Sequence, residues 1–320
     1  MEDKTPKNFE LDKQKFLEKI KKPFRKFFYP LLAKIRQPYI EKHFKIKKVI
    51  GCDMVFLGQR GNDYEAHRTR VNLYKPIKDS AILIIGIGTG KDLESWLKYN
   101  PKEIVGIDYF SYKKAWEKIK EHYSEKFSTK LEFLNIDISN INEIYNENKF
   151  DIIGSDAVFE HINKFDDALK SLRMVLKDGG LLYATFGPLY YTWGGDHISG
   201  RDGLINGYNH LALTKEQYYR YLDTFGDFNH SEDDGRTWIY NNLFSYLKAK
   251  DYLKKLRDFG FKPVYSSCIL EKRAIIFQKK YPKKFEVLCS KYGRENLLIT
   301  GMTIICEKVS DKDNDNYLIQ

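Results

Sequence analysis

Three glycines at alternate positions, Gly86, Gly88 and Gly90, follow the apolar run AILIIG and precede the stretch KDLESWLKY, whose spacing is helical. A strand-to-helix turn without side chains can bend sharply and approach a ligand, while the first amides of the helix point at it. Asp108 ends the next apolar run, EIVGID (103–108), 18 residues after Gly90, and Asp137 ends the one after that, LEFLNID (131–137). A carboxylate at the first position can accept both hydroxyls of a ribose. At the second it can accept the exocyclic amine of adenine, with Ile138 packing on the ring. Each feature alone has an ordinary reading, a tight turn for the glycines and a strand-end cap for either aspartate. All three at successive strand ends on one edge of a sheet are harder to explain that way.

The elements that must position these residues follow from periodicity. From Ala81 short apolar runs alternate with amphipathic stretches, as a parallel sheet covered by helices requires. Strands are expected over 81–86, 103–108, 131–137, 149–156 and 181–187, with helices over 91–99, 111–124 and 166–176, the last ending at the turn Asp178-Gly179-Gly180. After Pro188 the pattern gives way to PLYYTWGGDHISGRDGLINGYNHLAL, too long for an ordinary connection and too aromatic for a disordered one. Helices are expected again over 215–221 and 243–259, then two more strands, FKPVYSSCIL and LLITGMTIICEKV, with one or two helices between them. The fold class is therefore α/β, a Rossmann-like, doubly wound, seven-stranded, mostly parallel sheet with helices on both faces. Its parts are a basic N-terminal helical extension (1–75), a main domain (76–308) with an acceptor-binding insertion (188–246), and a polar tail (309–320).

The combination of glycine turn, Asp108 and Asp137 resembles the class I S-adenosylmethionine-dependent methyltransferases over roughly residues 75–187. FDIIGSDAVFEHINKFDDALKSLRMVLKDGGLLYATFGP resembles that family's block from fourth to fifth strand. The resemblance implies that Gly86, Gly88 and Gly90 carry the methionine moiety of the cofactor, that Asp108 holds the ribose and that Asp137 holds adenine. Tyr109 and Ile138 join that binding set, and Ser155, Phe159 and His161 are implied to lie near the sulfonium. One position departs from the family: the acid two residues before the first glycine, which helps orient the cofactor's amino end, is replaced by Ile84. A dinucleotide oxidoreductase would need a third glycine where Lys91 stands, and it has no use for Asp137.

Transfer of a methyl group from sulfonium to a hydroxyl needs a base opposite the departing sulfur. His161, His197 and His210 are the candidates, since imidazole titrates near neutrality. Each could instead be a surface or packed histidine. Ser155-Asp156-Ala157-Val158 lacks the Asn/Asp-Pro-Pro-Tyr/Phe run typical of base-amine methylation in nucleic acid. The expected reaction is O-methylation of a small or sugar-like acceptor. The stretches GPLYYTWGGDH and NHLAL resemble methyltransferases of glycan and cell-surface assembly, and Tyr190, Tyr191, Trp193, Tyr208 and Trp238 are either a stacking floor for the acceptor or core. Asp156, Glu160, Asp196, His197 and His210 offer metal-ligand chemistry without a ligand motif, so a divalent metal is left open but not predicted.

Residues 1–50 hold 15 Lys or Arg against 6 Asp or Glu, while the whole chain of 320 residues carries a formal charge of +10. Such a segment is either a solvated face or a contact for anionic lipid, phosphate or RNA, with Lys21, Lys22, Arg25 and Lys26 as candidate phosphate contacts. Phe16, Ile20, Phe24 and Phe27 give it an amphipathic helical pattern, kinked near Pro23. No apolar run is long enough to span a bilayer and the N-terminus lacks a secretory h-region, so a cytoplasmic protein is expected, with peripheral membrane contact left open. Cys52, Cys268, Cys289 and Cys306 form no CxxC pair and are expected to be reduced thiols. Two alternatives keep the fold: an RNA methyltransferase using the basic segment, and a methyltransferase-like scaffold without turnover.

Overall fold

The computed structural model describes residues 38–46, 52–56, 64–231 and 234–310. The amphipathic pattern over 11–29, the phosphate-contact candidates at 21–26 and the tail beyond 310 lie outside the described residues. The chain divides into two compact units, Met1–Lys48 and Val49–Gln320. Of the first, a helix over 38–44 is described.

The second unit is built on one sheet of eight strands: β1 (Asp53–Phe56), β2 (Ala81–Ile85), β3 (Glu103–Asp108), β4 (Lys130–Asn135), β5 (Phe150–Asp156), β6 (Leu176–Phe186), β7 (Phe261–Leu270) and β8 (Ile299–Lys308). Their spatial order is β1-β7-β8-β6-β5-β2-β3-β4. β8 runs antiparallel to both β6 and β7, and every other pair is parallel. The expected seven strands are β2 to β8, with the short β1 added at one edge. The winding reverses at β2, which lies between β3 and β5, so the carboxyl ends of these strands open onto a crevice at the switch point. β2 is buried along its whole length, as the unbroken run AILII requires of a strand covered on both faces.

Two expected elements differ. The helix Phe165–Val175 gives way directly to β6 at Leu176, so Asp178, Gly179 and Gly180 belong to the strand rather than to a turn before it. A register shift where Phe150 pairs with Leu176 and Ile152 with Leu181 absorbs the extra residues. The helix expected over 243–259 spans only Ala249–Asp258. Residues 243–248 are non-helical, since Phe244 is buried and the Ser245 amide donates to the Glu160 carbonyl. Tertiary contacts override helical spacing there.

The stretch after Pro188 is compact, with Leu189, Trp193, Ile198 and Tyr208 buried. Asp196, fully buried, organises it: its carboxylate accepts from the Ser199 amide (2.8 Å), the Ser199 hydroxyl (2.7 Å) and the Tyr218 hydroxyl (2.5 Å). Thr192 and Tyr208 both donate to the Leu297 carbonyl, which ties the stretch to the segment leading into β8. Asp196→Ala strands three buried donors, and a loss of about 3–5 kcal/mol in urea unfolding is expected. A loss below about 1 kcal/mol would remove Asp196 from this role.

Candidate active site

The glycine turn leaves β2 with Gly86, Gly88 and Gly90 all in the left-handed region, at φ of 70°, 49° and 73°. A Cβ on Gly86 would stand 2.1 Å from Val158 Cγ2, so packing excludes a side chain there, while one on Gly90 would stand 2.5 Å from the flexible end of Ile119, and the positive φ is what favours glycine at that residue. At Gly88 no atom lies within 4 Å of such a Cβ. The middle of the turn therefore faces open space.

Asp108, at the end of β3, holds this turn. Its Oδ2 accepts the Gly88 amide at 2.8 Å and its Oδ1 the Phe110 amide at 2.9 Å. Burial raises its carboxyl above the usual range, against the lowering effect of those two amides. On the other side of the turn Trp116 Nε1 donates to the Gly88 carbonyl at 2.8 Å. Tyr109, next to the acid, is 59% exposed. Asp137 caps a short 3-10 helix over Ile138–Asn140, its Oδ1 accepting from the amide and hydroxyl of Ser139. Ile138 is half-buried beside it. On β5, Ser155 is buried with its hydroxyl unpartnered among the described residues, and it pairs in register with Ile85, one residue before Gly86. Phe159 is wholly buried against Phe165 and Phe186.

Sequence reasoning misses a buried ionic cluster beside the turn. Arg68, from the helix Tyr64–Tyr74, is fully buried with its Nη2 2.9 Å from Asp92 and 2.5 Å from Asp156. Its Nε donates to the Ser95 hydroxyl, and its guanidinium lies 4.0 Å over the Trp96 ring. Tyr183 donates to the other oxygen of Asp156 at 2.7 Å. Asp92 precedes the helix Leu93–Leu97, two residues after Gly90, and Asp156 ends β5. One cation against two carboxylates leaves an excess of negative charge. Arg68 Nη1 is buried without a hydrogen-bond partner among the described residues. Ile84, where the resembled family has an acid, is itself part of the apolar cluster with Trp96 and Ile152.

The three candidate histidines do not form one group. His161 Nδ1 lies 2.9 Å from the Leu243 carbonyl. That oxygen can only accept, so the proton is assigned to Nδ1 and Nε2 keeps its lone pair. The ring is stacked between Trp238 (4.1 Å) and His197 (4.9 Å), and Trp238 meets Phe110 edge-on at 5.7 Å. His161 is thereby connected through two ring contacts to the loop after Asp108. His197 sits at φ 67°, and burial, reinforced by His161, lowers it to about 3, so it is neutral. His210 is buried elsewhere, its Nε2 on the Tyr190 carbonyl at 2.8 Å and its Nδ1 3.7 Å from Asp196. Burial lowers it as well. Glu160, named with Asp156, Asp196, His197 and His210 as offering metal-ligand chemistry, accepts the Gly187 amide. Among the described residues no group of three or more His, Cys, Asp or Glu is arranged to hold a metal ion.

Residues 83–184, which contain the glycine turn, Asp108, Asp137 and β5, match the family described as a methyltransferase domain. The chain carries a methyltransferase domain over these residues. Among solved structures the methyltransferase is similar to a putative sarcosine dimethylglycine methyltransferase from Galdieria sulphuraria, at 11% identity and TM-score 0.47 over 77% of this chain and 84% of that one. It is also similar to a putative S-adenosylmethionine-dependent methyltransferase from Listeria monocytogenes, at 16% and 0.46 over 78% and 100%. A third is a phosphoethanolamine N-methyltransferase from Haemonchus contortus in complex with phosphomonomethylethanolamine and S-adenosylhomocysteine, at 13% identity and TM-score 0.47 over 76% of this chain and 52% of that one. No curated protein matches the sequence significantly.

Burial, opposed by Arg68 and reinforced by Asp156, pushes the Asp92 carboxyl up to about 6. A carboxyl raised on folding stabilises the fold below its unfolded pKa and loses that contribution as pH rises through the folded one. Asp92→Asn escapes this loss, so its stability relative to wild type should rise by up to about 3 kcal/mol between pH ~4 and pH ~7 in urea titrations. A difference that does not vary with pH would show that Asp92 is not raised.

Proposed function

We propose that the protein is an O-methyltransferase acting on a small or sugar-like hydroxyl acceptor, with His161 as general base. The observation that carries this reading is the 2.9 Å contact of His161 Nδ1 with the Leu243 carbonyl, which assigns the proton to Nδ1 and leaves the Nε2 lone pair to accept one. His197 and His210 are the weaker candidates. The first is held neutral by burial with a pKa of about 3, and the second is buried with its Nε2 engaged by the Tyr190 carbonyl.

On the cofactor side, Gly86, Gly88 and Gly90 give backbone that a ligand can approach, and Gly88 has the open space to receive it. Asp108 retains lone pairs for ribose hydroxyls beyond those used by Gly88 and Phe110, and Asp137 has a second oxygen free of Ser139 for the adenine amine. Tyr109 and Ile138 flank these acids as ring contacts, and Ser155 and Phe159 shape the end of β5. We assign Arg68, Asp92 and Asp156 to the zwitterionic methionine end, in place of the acid missing at Ile84. Bound S-adenosylmethionine supplies an electrophilic methyl group. The acceptor hydroxyl would give its proton to His161 Nε2 as its oxygen takes the methyl, the methyl–sulfur bond breaking to leave S-adenosylhomocysteine. The Trp238 and His197 rings fix the imidazole plane during that transfer.

His161→Ala should bind S-adenosylhomocysteine as wild type does and lose about 100-fold or more in turnover, the ordinary range for a general base. Turnover near wild type in a screen of hydroxyl acceptors would eliminate His161 as the base.

A further inference from the structure

The helices Lys272–Lys280 and Pro282–Tyr292 follow one another across a single residue, Tyr281, between β7 and β8. Ala274, Ile275, Phe277, Phe285 and Leu288 are buried beneath them. Their outward faces share one pattern. Ile276, 41% exposed, has Lys272, Arg273, Lys279 and Lys280 at the four positions three and four residues away. Val287, 70% exposed, has Lys283, Lys284 and Lys291 at three of the corresponding positions and Ser290 at the fourth. Residues at these spacings are neighbours on a helix surface, so each exposed aliphatic side chain is ringed by cations.

The charge is not cancelled locally. None of the six lysines forms an ion pair with a described residue. Arg273 is held by Glu271, and Glu286, the acid on this face, is taken by Arg294. A solvated helix face normally intersperses both signs and has no reason to place its apolar residues at the centre of the positive ones. A nucleic-acid surface would use the same lysines on phosphates but would draw on aromatic stacking rather than an exposed Ile and Val. A lipid headgroup region uses both features: aliphatic side chains enter the headgroup–acyl boundary while ammonium groups stay with the lipid phosphates.

We propose that this paired-helix face docks the protein on an anionic membrane surface. It does so without spanning: among the described residues no helix is long and apolar enough to cross a membrane. None of its residues is among those assigned to methyl transfer, so it stands whatever the acceptor is.

Cosedimentation of the full chain with vesicles of phosphatidylcholine, with and without phosphatidylglycerol, tests it. Wild type should bind the anionic vesicles and not the neutral ones. Each lysine neutralised should weaken binding about fivefold, so the variant K279Q/K280Q/K283Q/K284Q should lose more than about a hundredfold. I276S/V287S, with every lysine intact, should also bind more weakly. Unchanged melting temperature and S-adenosylhomocysteine binding in both variants exclude misfolding. Vesicle binding that survives either variant would overturn the proposal. So would binding to duplex RNA that is tighter than to vesicles and is lost in the lysine variant.

Discussion

The Asp108 carboxylate joins the two loops on which the site depends. By accepting the Gly88 amide it fixes the turn after β2, and by accepting the Phe110 amide it fixes the chain after β3. The turn closes through left-handed backbone at Gly86, Gly88 and Gly90, and at Gly86 a side chain would meet Val158. Phe110 in turn bears on Trp238, and Trp238 on His161. One acid thus links the carboxyl edge of the sheet to the aromatic stack around His161. Burial works against that acid's ionisation, and the two amides work for it.

The sheet is largely legible in the sequence because its central strands are unbroken apolar runs ending in Gly or Asp, a pattern set by burial on both faces. What is not legible depends on distant partners. Arg68 meets Asp92 and Asp156 across 24 and 88 positions, and a lone arginine in a helix gives no spacing signal. Residues 243–248 have helical periodicity, yet the Ser245 amide bonds to Glu160 and Phe244 packs on His161 and Tyr190. His161, His197 and His210 look equivalent as residue types. Their surroundings differ in the partner of each ring nitrogen, which only the fold determines.

The insertion after β6 is built around a buried charge rather than an apolar core alone. Asp196 gathers donors from Ser199 and Tyr218, and burial, which would raise it, is outweighed by His210 and these donors. The arrangement holds His197 in a left-handed backbone conformation with its ring on His161. Strain of this kind persists where the surrounding structure over-determines it.

Isothermal titration of the full chain and of Asp108→Ala with S-adenosylhomocysteine, with NAD titrated in parallel, reads the role of this turn most directly. Saturable heat with S-adenosylhomocysteine that the substitution removes, and none with NAD, is the expected result. Heat with NAD and none with S-adenosylhomocysteine would contradict it.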